Sequence, residues 1–152
     1  MRNEYFEELL KTWKEYEDAK LDREAERDQI IKDKGWDSKE YKAWKEREAG
    51  IEFPYTGGQL KAYWAWRYTK ENELDTFTLN DFIWDRDVKD FADTLREAGV
   101  NEFIYTCTST ALMDNIHDLE ANGWKMTGLW ELKKKNIWGQ DEITRGLRFK
   151  AN

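Results

Sequence analysis

Cys107, in the stretch TCTST, is the only thiol of the chain, and it falls where a strand is expected to give way to a helix. Helix N-termini lower thiol pKa values and attract anions, and the neighbouring hydroxyls add donors. A phosphatase-like thiolate also needs a base in the loop that follows, and Thr108, Ser109, Thr110, Ala111, Leu112 and Met113 supply none. Strand alternation groups Cys107 with Phe103 and Tyr105, so a buried core thiol stands beside the reactive one as a reading. His117 is the only histidine, with Asp114 three residues before it and Asp118 next to it. No nucleophile-elbow pattern accompanies it, and it reads as a surface or boundary residue. One Cys and one His do not suit a thiolate–imidazole zinc site. No metal or cofactor is expected from these residues, and no catalytic set.

The acids are more numerous. Asp81, Asp85, Asp87, Asp90, Asp93 and Glu97 share a segment with only Arg86, Lys89 and Arg96 as bases. Paired carboxylates can move protons or hold a divalent cation. Asp90, Asp93 and Glu97 instead recur at helical spacing opposite the apolar Val88, Phe91, Ala92 and Leu95. That pattern gives a solvated helix face, or a surface that mimics phosphate for a basic partner. Asp87, Asp90, Asp93 and Glu97, together with Trp66, form the expected partner-binding set. At the other end of the chain, Lys133, Lys134, Lys135, Arg145 and Arg148 lie beside Trp138 and Phe149. Basic residues interleaved with aromatics can bind single strands of nucleic acid. They also serve as a charged hairpin that keeps a sheet edge from aggregating.

The charge is unevenly spread. Residues 1–50 hold 15 acids and 12 bases, residues 51–122 hold 14 and 6, and residues 123–152 hold 3 and 7, for a net −7. An acidic chain repels nucleic acid over most of its surface and attracts basic protein surfaces. Direct nucleic-acid binding is therefore disfavoured. The charged fraction of 38% leans toward disorder, but nine Trp, seven Tyr and seven Phe supply a small aromatic core. No apolar run approaches the roughly 20 residues that span a bilayer, so no membrane partner is expected. A charged N-terminus without signal-peptide features and a lone Cys, which forbids an intrachain disulfide, favour a reducing cytoplasm.

Position by position, residues 3–34 read as a long helix whose apolar stripe, Phe6, Leu9, Leu10, Trp13 and Tyr16, thins beyond residue 16. DSKE, residues 37–40, resembles a capping box opening a second helix to about Glu48. Gly50, Pro54, Gly57 and Gly58 mark a boundary at 49–58. The next stretch, AYWAWRY, admits strand or helix, and the helix-forming flanks favour helix over 59–73. Residues 75–80 suit a short strand, and Asp85 a cap for the helix that ends at Gly99. NEFIYTC reads as a strand. STALMDNIHDLEANG reads as a helix capped by Thr108 or Ser109, burying Leu112, Met113, Ile116 and Leu119. WKMTGLWEL and ITRGLRFK read as a hairpin joined by the loop KKKNIWGQDE. The expected fold is α+β. A mixed β-α-β-α-β-β sheet with packed helices fills residues 59–152, and a helical arm precedes it at 1–48.

The order from NEFIYTC through LEANGWKMTG resembles the C-terminal half of a GNAT acetyltransferase fold over about residues 86–150. That family binds the acetyl-CoA pyrophosphate with a glycine-rich loop. The corresponding segment here, FIWDRDVKDF, has no Gly and three Asp, which removes the cofactor. The segment from DVKDFADTLREAGV to LEANGWKMTGL is similar to small uncharacterised proteins of bacterial plasmids, phages and other mobile elements. The resemblance implies a cytoplasmic, mobile-element setting and supplies no catalytic residues. The expectation is an acidic protein-interaction module, with an inhibitor of a host nucleic-acid-handling protein (anti-defence, anti-CRISPR-like) as its sharpest form. A divergent acyltransferase-like enzyme and a nucleic-acid-binding accessory protein are the alternatives. The sequence assigns no oligomeric state.

Overall fold

The computed structural model describes residues 2–152. The elements run α1 (Glu4–Lys34), α2 (Lys39–Ala49), α3 (Gly57–Glu71), β1 (Thr78–Leu79), a 3-10 turn (Asp85–Asp87), α4 (Val88–Glu97), β2 (Glu102–Tyr105), α5 (Leu112–Ala121), β3 (Trp124–Lys135) and β4 (Asp141–Ala151). The fold is α+β. Its four strands lie in the order β1-β2-β4-β3; β1 and β2 are parallel, and the other two pairings are antiparallel. The chain divides into two units: Glu7–Pro54, and Met1–Phe6 with Tyr55–Asn152. The start of the helical arm therefore differs from the expected 1–48. Phe6 is fully buried in the sheet-bearing unit, stacked 5.7 Å from Trp66 and 5.8 Å from Phe77.

The Glu7–Pro54 unit is a helical hairpin. Gly35 takes φ +90° after α1, and the Ser38 hydroxyl both donates to the Gly35 carbonyl and accepts from the Tyr41 amide. The cap of α2 is thus Ser38 rather than Asp37. The charged stretch after Tyr16 has neighbours within this unit. Trp44 is buried and donates its indole N–H to the Arg23 carbonyl at 3.0 Å. Arg23 pairs with Glu48, and Arg47 with Glu26, each at 2.8 Å.

AYWAWRY is helical. Thr56 and Gln59 close a reciprocal capping box at the start of α3, which the flanking Gly residues enter. Trp64 and Trp66 are two positions apart, so a helix turns them about 200° from each other. Trp66 is 1% exposed, beside Tyr63, while Trp64 is 47% exposed and carries Arg67 at 5.5 Å. Trp66 is a core residue, and its expected place in a partner-binding surface is corrected on that ground.

Two glycines let α3 and α4 meet closely. A Cβ at Gly58 would lie 2.6 Å from Asp90 Cβ and 2.7 Å from the Asp87 carbonyl oxygen. A Cβ at Gly57 would lie 2.8 Å from the Asp87 carboxylate carbon. The Asp87 carboxylate therefore rests on the first turn of α3, where a helix end carries partial positive charge.

Aromatic rings bind α4 to the sheet. Phe91 meets Phe103 edge-on at 5.7 Å, Phe103 stacks on Phe149 at 5.1 Å, and the Trp124 indole N–H donates to the Ala92 carbonyl at 3.3 Å. Three local expectations differ. Asp85 opens a 3-10 turn, its carboxylate accepting from the Arg86 amide, and α4 begins only at Val88. α5 begins at Leu112 and has no side-chain cap; it buries Asn115 and Leu119, while Met113 is 63% exposed. The lysine run belongs to β3, not to the loop, so the hairpin turn shrinks to 136–140.

Candidate functional site

The expected acidic face divides by role. Asp87 is half-buried against α3. Asp93 accepts from Lys89 at 2.7 Å and from Arg96 at 3.5 Å, and the Lys89 ammonium is held above its usual pKa by that hydrogen bond. Glu97 accepts from the Tyr5 hydroxyl at 3.3 Å. Asp90 is exposed. Asp87, Asp93 and Glu97 already serve contacts within the chain, and Asp90 stands beside Lys89.

A concave surface forms elsewhere. A cleft of about 700 Å³ opens between residues 82–85, which leave β1, and residues 109–118, which lead into and along α5. It lies beyond the carboxyl ends of the parallel pair β1 and β2, where open α/β sheets usually bind their ligands. Its walls carry Asp85, Asp114 and Asp118, with His117 as the one basic-type lining residue among the described residues. Trp84, 52% exposed, supplies an aromatic wall; it meets Phe82 edge-on at 4.9 Å and carries the Arg86 guanidinium at 5.6 Å. Ser109 and Thr110 add hydroxyls at the entry to α5.

The floor of this cleft is held by a buried polar network. The Asn115 carboxamide oxygen accepts from the Tyr105 hydroxyl and from the Ile83 amide, and its NH₂ donates to the Ile83 carbonyl at 2.6 Å. One side chain on α5 thereby fixes the segment that carries Trp84. Burial pushes the Tyr105 phenol well above its ordinary pKa, and the neighbouring Cys107 adds to the shift. Tyr105 is thus a neutral donor at physiological pH.

His117 is exposed on α5 and lines the cleft with Asp114 and Asp118. Cys107 follows the end of β2 and is half-buried. Among the described residues no group of three His, Cys, Asp or Glu side chains could hold a metal ion. No helix among them is long and apolar enough to cross a membrane. The basic hairpin is largely matched across its strands. Lys135 pairs with Asp141 and Arg145 with Glu131, each at 3.4 Å, and Lys134 stands opposite Glu142. Arg148 pairs with Glu102. The cleft itself escaped the sequence. The spacing of Asp114 and Asp118, one helical turn apart, was visible, but nothing local brings them to Trp84 and Asp85.

The sheet and helices define an α+β domain with a crevice at the carboxyl ends of its parallel strands. Within that class, residues 61–151 match the model of a domain of unknown function, DUF7698, and the chain belongs to that family. No curated protein and no solved structure matches it.

Proposed function

We propose that this chain is an acidic protein-interaction module whose cleft receives a cationic side chain from a basic partner. The observation that carries the reading is the cleft itself, where three carboxylates and the Trp84 ring converge on about 700 Å³. A tryptophan face attracts a guanidinium or ammonium group, so a partner's cation would take the Trp84 face that Arg86 leaves or displace Arg86 from it, and the flanking carboxylates supply charge and hydrogen-bond acceptors. The net −7 extends the same attraction to long range. The basic proteins such a surface suits are those that handle nucleic acid, because their working surfaces are built for phosphate. On a mobile element, occupation of that surface would inhibit a host defence effector. The acidic face of α4 then contributes through Asp90, which is exposed beside Lys89.

The test is a calorimetric titration with an arginine-rich peptide and, in parallel, a lysine-rich one. Binding should weaken steeply as salt rises. Asp114→Asn with Asp118→Asn should abolish it while the helical circular dichroism is unchanged. An affinity unaltered by that double substitution would remove the cleft from the reading.

A further inference from the structure

Residues 81–97 hold three bases, and two of them face carboxylates: Lys89 and Arg96 both reach Asp93. Arg86 has no ion pair among the described residues, although Asp85 and Asp87 flank it in the sequence. Both neighbours are turned elsewhere. The Asp85 carboxylate accepts from the Arg86 backbone amide at 2.8 Å and lines the cleft, and the Asp87 carboxylate rests on the first turn of α3. The Arg86 guanidinium lies instead over the Trp84 ring, 5.6 Å from its centre. Of this pair the ring is the anchored member. Phe82 meets it edge-on at 4.9 Å, Lys61 lies over Phe82 at 5.3 Å, and the same Lys61 pairs with Asp81 at 2.7 Å. Asn115 holds both backbone groups of Ile83, and the Trp84 carbonyl accepts from the Asp87 amide at 2.8 Å. Arg86 is exposed.

We propose that Arg86 is a resident stand-in for the partner's cation, lying on the Trp84 ring in the free protein and opposing entry of a second cation to the cleft. The proposal rests on the reading of the cleft as a cation site and adds the residue that sets its affinity. A ring has two faces. A partner's guanidinium or ammonium arriving on the face that carries Arg86 must displace it. One arriving on the other face meets a like charge across the ring. Both routes weaken binding, so a partner must bring enough contacts to the carboxylates to overcome Arg86. The alternative role for Arg86 is a prop that steadies the ring. Phe82, the Lys61–Asp81 pair and the Asn115 clamp on Ile83 already hold this segment from three sides, which leaves a prop little to add.

The test is a double-mutant cycle on the full chain, read by calorimetric titration with an arginine-rich peptide. Arg86→Gln should tighten binding about twofold to fivefold, the size of an exposed cation–π contact. In the Trp84→Leu background the same substitution should gain clearly less. Loss of one positive charge acts through the long-range field in both backgrounds, so the difference between the two gains belongs to the ring. A second readout needs no peptide. The Arg86 Nε–H proton resonance, identified by its loss in Arg86→Gln, should be displaced by the ring current of Trp84 and return in Trp84→Leu. Coincident resonances in wild type and Trp84→Leu would overturn the proposal. So would an Arg86→Gln affinity that is unchanged or weaker, the weaker result making Arg86 a prop, and so would an equal gain in both backgrounds. The two readings fail differently. If wild type and Arg86→Gln bind the peptide alike, the cleft stands and only the role of Arg86 falls. If neither binds it, the cleft reading falls and takes this one with it.

Discussion

The Tyr105 hydroxyl donates to the Asn115 carboxamide at 2.6 Å, joining the end of β2 to α5, and Asn115 also holds both backbone polar groups of Ile83. All three residues are 2% exposed or less. Replacing Asn115 with Leu keeps the volume and removes these hydrogen bonds. The Ile83 amide and carbonyl would lose their Asn115 partner and be left buried, and the Tyr105 hydroxyl would keep only Cys107 and Ser109 beside it. Each such group costs about 1–3 kcal/mol, so Asn115→Leu should destabilise by at least about 2 kcal/mol. Urea denaturation measures this, and a loss below 0.5 kcal/mol (roughly the scatter of surface substitutions) would remove the clamp from the account.

The same pair gives a pH dependence. Burial raises the Tyr105 pKa in the folded state above its unfolded value near 10. Above that pH the unfolded chain releases the proton while the folded chain keeps it, so stability present below about 10 is lost as pH rises. Tyr105→Phe should be less stable than wild type at neutral pH, having lost the hydrogen bond to Asn115, and the gap should narrow in alkali. Unfolding free energies at neutral and alkaline pH, compared between the two proteins, read this directly. A gap that stays constant would mean that Tyr105 titrates in the folded state like an exposed tyrosine, and one that widens that it loses its proton more readily there.

Phe6 tests where the sheet-bearing unit begins. Its ring is fully buried against Trp66 and Phe77. Phe6→Ala should cost about 3–5 kcal/mol, the usual range for a buried ring. Deleting residues 1–48 should therefore yield a sheet-bearing unit weaker than one that retains Phe6. A thermal melt of Phe6→Ala that matched wild type would return the first turn of α1 to the arm.

Gly58 sets two principles against each other. Helix propensity favours alanine over glycine by about 1 kcal/mol in a helix interior. Here a Cβ would stand 2.6 Å from Asp90 Cβ and 2.7 Å from the Asp87 carbonyl, so α3 and α4 would have to separate. Overpacking of this kind costs about 1–3 kcal/mol and should outweigh the propensity gain. Gly58→Ala should lower the melting temperature. A higher melting temperature would show that the helices part without cost.

Much of the fold was legible where one residue pattern had one physical outlet. The amphipathic stripe Val88, Phe91, Ala92 and Leu95 could only be a helix packed on a core, and all four are buried. Trp66 was misassigned because AYWAWRY offers two ring faces, and a distant neighbour, Phe6 from the far N-terminus, stacks on the one that lies inside. Asn115 was invisible for a related reason. A polar residue on a helix reads as exposed unless its partners are known, and Tyr105 and Ile83 lie on separate elements. The lysines of β3 read as a loop by composition, yet their partners on β4 extend the ladder to Asp141. The cleft depends on two segments, residues 82–85 and 109–118, meeting at one end of the sheet, and no local spacing records that.

The last prediction separates the two acidic surfaces. On α4, Asp90 is exposed while Asp93 is occupied by Lys89 and Arg96. On α5, Asp114 and Asp118 face the cleft. If the cleft is the recognition surface, reversing charge at Asp114 and Asp118 should abolish capture of an arginine-rich peptide and speed its dissociation, because the contacts themselves are lost. Asp90→Lys should act differently. It lies outside the cleft lining, so it should slow association modestly through the long-range field and leave dissociation unchanged. Both variants should melt within a degree or two of wild type, since exposed surface charges contribute little to stability. Stopped-flow association and displacement kinetics at two salt concentrations distinguish the outcomes. Should Asp90→Lys abolish binding while the α5 reversal leaves it intact, the acidic face of α4 is the recognition surface and the cleft is not.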